Sequence, residues 1–217
     1  MYNYRAILQR VGIVLIAVGI LDIAYMVYCI SQDQSYSSIF NILAVVAGVF
    51  LFRGSLRAVP IVTCFAAFMI SNFVSVFILL PFLKPAELWA IEFHLDPVDL
   101  SMSLLVRITL IALLCWVYTQ LRAAPVVSAS FKYAHSASTP KLAFILGVAL
   151  VVLPVGIMHF TRGGAAGAKA VEVARAKYGQ DYKYHVTAMG WSNGNVQAHL
   201  TAYNEQEIKP VQVEWKQ

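Results

Sequence analysis

Charge is what this chain has least of. Asp, Glu, Lys and Arg make up 12% of its 217 residues, where an ordinary soluble domain carries about 25%. That shortage excludes a conventional water-soluble fold for most of the length. Cysteine is scarce as well: Cys29, Cys64 and Cys115 all fall inside apolar stretches, far apart, with no Cys-x-x-Cys pair. The spacing argues against a zinc or redox framework, and the three read as small buried apolar residues. The C-terminal segment has no cysteine, so packing alone must hold it. There is no His-Glu-x-x-His, no Gly-x-Ser-x-Gly and no phosphate-cradling glycine loop. Intramembrane proteolysis would need a nucleophile with a base, or two aspartates within spans, and Asp22 stands alone. Haem held across a bundle would need paired histidines, and only His159 lies near a span. The expectation is a chain without metal or cofactor, and not an enzyme.

Hydrophobic residues, by contrast, reach 59%. They gather in five stretches, roughly 11–30, 38–53, 59–82, 101–121 and 142–160, after which residues 161–217 turn hydrophilic. Apolar runs near 20 residues predict membrane-crossing helices. The second is short and must stand nearly upright or begin earlier, near Tyr36. The first carries Asp22 and no small-residue cleavage site after it, so it reads as a retained span rather than a signal peptide.

The net charge of +5 does not point to nucleic acid, because the basic residues sit between apolar stretches, where they set topology. With a cytoplasmic N-terminus, the inside segments hold seven: Arg5, Arg10, Arg53, Arg57, Arg122, Lys132 and Lys141. The outside loops 31–37 and 83–100 hold one, Lys84. Five spans then put the C-terminal domain outside. The absence of N-x-Ser/Thr sites and the short loops fit a bacterial inner membrane.

The expected fold is a mainly α membrane protein: a four-helix transmembrane bundle (1–122), a cytoplasmic linker (123–141), a fifth transmembrane helix (142–160) and a small extracytoplasmic α+β domain (161–217). The linker is Ala-, Ser- and Pro-rich, with Pro125 and Pro140, and reads as mobile. Arg53-Gly54-Ser55-Leu56-Arg57 predicts a tight turn, and Asp96-Pro97 an N-cap with Pro at the first helical position. In the C-terminal domain, Ala170, Ala174 and Tyr178 share a helical face, and Gly179 follows as a C-cap should. The period then changes to two. Tyr182, Tyr184, Val186 and Ala188 form one apolar set, and Val196, Ala198, Leu200 and Ala202 a second. Asn193-Gly194 signals a hairpin between them. Matching the two apolar faces asks for a loop of three or five residues rather than two, because a one-residue slip reverses every side chain. A third strand follows with Val211, Val213 and Trp215 inward, and Pro210 restricts it to an edge. The order is α-β-β-β.

Charges inside spans are costly and mark candidate sites. Asp22 near the middle of the first span, Arg107 in the fourth and Asn72 in the third are expected at similar depth, as an intramembrane polar cluster that fixes helix register or binds a ligand. Gly12, Gly19, Ala44 and Gly48 permit close helix approach. In the loop before the fourth span, Trp89, Ile91, Phe93 and Leu95 recur at every second position and predict a short interfacial segment. Trp89, Phe93, His185 and His199 form the candidate partner surface. Two histidines without a third ligand make a poor metal site.

A single span followed by a helix and a small sheet resembles some respiratory-complex assembly factors in topology alone, which implies an accessory role. The expectation is a non-enzymatic membrane scaffold, accessory or assembly protein whose small outer domain engages a protein partner or a second copy. The alternative is a small transporter or channel subunit using Asp22, Arg107 and Asn72.

Overall fold

The computed structural model describes residues 3–33, 36, 40–132, 139–162, 164–192 and 194–216. Among them are eight helices: α1 (Tyr4–Ser31), α2 (Phe40–Phe52), α3 (Ala58–Leu83), α4 (Ala86–Leu95), α5 (Pro97–Leu121), α6 (Ala124–Lys132), α7 (Lys141–Arg162) and α8 (Ala165–Tyr178). Three strands follow, β1 (Lys183–Ser192), β2 (Asn195–Tyr203) and β3 (Ile208–Lys216), in one antiparallel sheet of order β1-β2-β3. Helices α1, α3, α5 and residues 141–160 of α7 are long and apolar enough to cross a membrane. They fit a membrane protein. The second expected span is α2, with 13 residues, which is only about 20 Å long against a hydrocarbon core of about 30 Å.

The chain divides into two compact units, residues 1–71 with 110–147 and residues 72–109 with 148–217. In the first, α1 and α2 pack closely through their glycines. A Cβ on Gly12 would lie 2.6 Å from the Phe52 nitrogen and 2.7 Å from the Gly48 carbonyl oxygen. No ordinary side chain fits there. Ala44, one turn before Gly48, is buried on the same seam with Leu8, Val11, Leu15 and Leu51. The α2–α3 joint is the tight turn expected from its sequence. Gly54 takes φ +77°, its N–H donates to the Leu51 carbonyl, and that of Ser55 donates to the Phe50 carbonyl. Part of the predicted linker is in fact helix α6. Pro125 occupies its first turn, where a missing N–H costs little, and Val126 and Ser130, one turn apart, are buried. An Ala- and Ser-rich composition reads as loose chain, yet small residues also let a short helix pack closely. Residues 133–138 of that linker lie outside the described residues.

In the second unit, the short segment expected around Trp89 is helix α4. Ten residues from Ala86 to Leu95 are helical, with Leu88 completely buried. The period of two in Trp89, Ile91, Phe93 and Leu95 is overridden by good helix formers between Pro85 and Asp96. Helix α5 then begins as its sequence dictates. The Asp96 carboxylate accepts from the Asp99 N–H at 3.0 Å, and Pro97 is the first helical residue.

Helix α8 covers one face of the sheet. Ala170 and Ala174 meet Val186, Ala198, Leu200, Ala202, Val211 and Val213. Gly179 ends the helix at φ +102°, its N–H donating to the Arg175 carbonyl. The hairpin resolves the register conflict in a way the sequence reading did not consider. Ser192 pairs with Asn195, so only two positions separate the strands, and the extra residue is absorbed by a bulge at Thr187. Past the bulge the inward positions change parity. Met189 packs on the core and Ala188 is exposed, reversing the expectation for Ala188. Asn193 lies outside the described residues. Strand β3 points Val211, Val213 and Trp215 to the core side and holds Pro210 on the edge, as its alternation predicts.

Candidate functional site

The second unit contains a cavity of about 590 Å³, within the range of small-molecule sites. One wall comes from α3, through Val76, Leu80 and Leu83, with Lys84 just past its end. Helix α4 adds Trp89 and Glu92, and Ile208 at the start of β3 closes a further side. The wall from α5 is of two kinds. Leu100 and Leu104 are apolar, while Asp99, Ser103 and Arg107, spaced four apart, form a polar ladder along one face. Over eight residues this ladder covers about 12 Å of helix.

The charges around the cavity are unevenly satisfied. Lys84 pairs with Glu92 and lies 5.2 Å from the centre of the Trp89 ring. Among the described residues neither Arg107 nor the Asp99 carboxylate has a hydrogen-bond or ion-pair partner. The Trp89 Nε1 is buried without an acceptor. Asp99, Ser103 and Arg107 are exposed along this wall, and an unpaired cation and an unpaired anion on one face of a cavity are the feature that marks it as a site.

Next to it, three contacts hold the sheet to helices of the same unit. Lys183 Nζ lies 2.6 Å from Glu87 of α4, and His185 Nε2 lies 3.2 Å from the Leu83 carbonyl at the end of α3. The carbonyl only accepts, so Nε2 carries the proton. The guanidinium of Arg162, at the end of α7, donates to the Thr187 carbonyl within the bulge. Burial, then the positive charges of Arg162 and Lys84, push the His185 pKa down, against the Leu83 hydrogen bond, which raises it. Burial likewise lowers that of Arg162. The hydrogen bond to Glu87 raises that of Lys183. Gly167 permits the tight passage from α7 to α8, since a Cβ there would sit 1.9 Å from the Arg162 carbonyl oxygen.

The residues singled out from the sequence are distributed as follows. Asp22 lies in the first unit, where the Tyr36 hydroxyl donates to its carboxylate at 2.6 Å and Tyr25 stands edge-on to Tyr36. Asn72 and Arg107 lie in the second unit. Arg107 lines the cavity, and the half-buried Asn72 is not part of the lining. Of the candidate partner surface, Trp89 and His185 are engaged within the unit, while Phe93 and His199 are exposed. Among the described residues no group of three metal-ligating side chains forms.

Two features were missed from sequence. Asp99 and Ser103 precede Arg107 at helical spacing, a signal present in the chain. Trp191 was not singled out, and it stands 50% exposed near the end of β1. Comparison with protein-family models, with curated proteins and with solved structures finds no match.

Proposed function

We propose that this chain is a non-enzymatic accessory or assembly protein of a bacterial inner membrane, with its N-terminus in the cytoplasm and its C-terminal α-β-β-β module outside. The module presents a surface to a protein partner. One observation carries this reading. The sheet is anchored at one end of β1 by Lys183, His185 and the Thr187 carbonyl, while past the bulge Ala188, Gly190, Trp191 and Ser192 of that edge strand stay exposed. Tryptophan is enriched in binding hot spots, and an unpaired edge accepts an added strand. The opposite edge, β3, is blunted by Pro210.

The test is crosslinking in native membranes followed by mild-detergent purification and mass spectrometry, on the full chain, on a chain lacking 161–217 and on Trp191→Ala. A reproducible protein partner, lost in the truncation and reduced in Trp191→Ala, supports the reading. Self-crosslinks alone, unchanged by either alteration, count against it. They favour the second reading, a small transporter or channel subunit, which draws on Arg107 lining a cavity. Solute uptake lost in Arg107→Gln is the sign of that reading.

A further inference from the structure

We infer that the cavity of the second unit is a binding site for a membrane phospholipid whose headgroup carries both a phosphate and a primary ammonium. The inference is independent of the partner surface on β1.

The cavity lies between parts of α3 and α5, two helices apolar enough to cross a membrane. A ligand reaching it from the bilayer must therefore be amphipathic. The apolar part faces Val76 and Leu80 on one wall and Leu104 on the other. The polar part meets the ladder on α5. Side chains on a helix lean toward its N-terminus, and α5 begins at Asp96 and Pro97. Arg107 therefore leans from its position toward Ser103 and Asp99, and not away from them. A guanidinium without a carboxylate partner, followed one turn on by a hydroxyl, fits a phosphate, which accepts several charge-assisted hydrogen bonds.

The other end of the ladder has the opposite sign. Asp99 lies about two turns from Arg107 and Asp96 about three, and only the latter aspartate is engaged, as the cap of α5. Lys84 is neutralised by Glu92. The unpaired groups are thus one cation, then one anion, along one face. A purely anionic headgroup would place its remaining oxygens against Asp99 at a cost. A choline headgroup has no N–H to donate to that carboxylate. A phosphate followed by a primary ammonium satisfies both ends.

The experiment uses the full chain, purified in mild detergent and stripped of lipid, with binding read by native mass spectrometry and by the shift in melting temperature. Three probes are added: phosphatidylethanolamine, phosphatidylglycerol and phosphatidylcholine of matched acyl chains. Phosphatidylethanolamine is expected to bind most tightly, by about tenfold, as expected for one charge-assisted hydrogen bond at the low end of its range. Arg107→Gln should abolish that binding, and Asp99→Asn should abolish the preference over phosphatidylglycerol. Leu104→Trp, which fills the apolar wall and leaves the charges in place, should displace all three lipids, and it keeps the test decisive if Arg107→Gln does not fold. Equal binding of the three lipids overturns the proposal. So does binding that survives both Arg107→Gln and Leu104→Trp, or full competition by inorganic phosphate, which would make the ligand a free anion.

Discussion

His185 shows how one side chain couples the sheet to solution conditions. Its ring is half-buried, hydrogen-bonded to the Leu83 carbonyl and faced by the cations Arg162 and Lys84. All but the hydrogen bond disfavour the imidazolium, so the folded pKa lies below the ordinary value of 6.5. The unfolded chain therefore takes up the proton first as pH falls. The stabilising contribution is complete above about pH 6.5 and declines as pH drops toward the folded value. Hydrogen exchange of the β1 amides in detergent should accelerate as pH is lowered through that window, beyond the intrinsic pH effect. The extra acceleration should vanish in His185→Gln, whose amide can still donate to Leu83. An unchanged profile in that variant would mean that another group titrates. The Lys183–Glu87 pair is more than 60% exposed on both sides, so salt should weaken it and it carries no comparable pH signature near neutrality.

Among the elements, the α1–α2 pair and the β1 bulge make the sharpest demands. Gly12 and Gly48 let two backbones touch, and an added methyl must push them apart. Gly12→Ala is expected to lower the stability of the first unit by about 1–3 kcal/mol, the usual cost of overpacking. Thermal unfolding in detergent reads this directly, and a change at Gly156, where a Cβ meets nothing, serves as the control. The bulge separates two roles. Deleting Thr187 leaves Val186 opposite Leu200 and Ala188 opposite His199, so every inward residue keeps its face. The deletion removes the carbonyl that Arg162 holds and the hydroxyl that donates to the His199 carbonyl. The sheet should persist by circular dichroism while Arg162 loses its partner, seen as faster proteolysis at the α7–α8 junction. Loss of the sheet itself would assign the bulge a folding role.

At the scale of the whole molecule, α2 decides the topology. If α1, α3, α5 and α7 each cross the bilayer, the N-terminus and the C-terminal module lie on opposite sides only if this 13-residue helix crosses as well. The basic residues favour the crossing, and a nearly upright helix with local thinning of the bilayer allows it. The C-terminal segment has no native cysteine, so Ser192→Cys in a background with the three cysteines replaced gives a clean reporter. Labelling of intact cells by a membrane-impermeant maleimide is the expected outcome. Labelling only after lysis would leave α2 a non-crossing helix and put both termini on one side.

Composition and periodicity determined a good deal here. The long apolar helices, the Asp96-Pro97 start of α5, the α8 face of Ala170 and Ala174 and the alternation in β3 follow from local rules, because each depends on residues a few positions apart. Helix α6 and helix α4 were not legible as such. The first looked like a linker and the second like a short interfacial segment of no stated secondary structure, since short segments are decided by what they pack against. The bulge at Thr187 was hidden because a two-residue turn and matched faces conflict until one strand carries an extra residue. The cavity was only half visible. Arg107 stood out as a charge in an apolar helix, but the company of Asp99, Ser103, Trp89 and Ile208 comes from three separate elements, α5, α4 and β3, brought together. Spacing along the chain decides which residues share a face, whereas only tertiary packing decides which faces meet and which charges are left without partners.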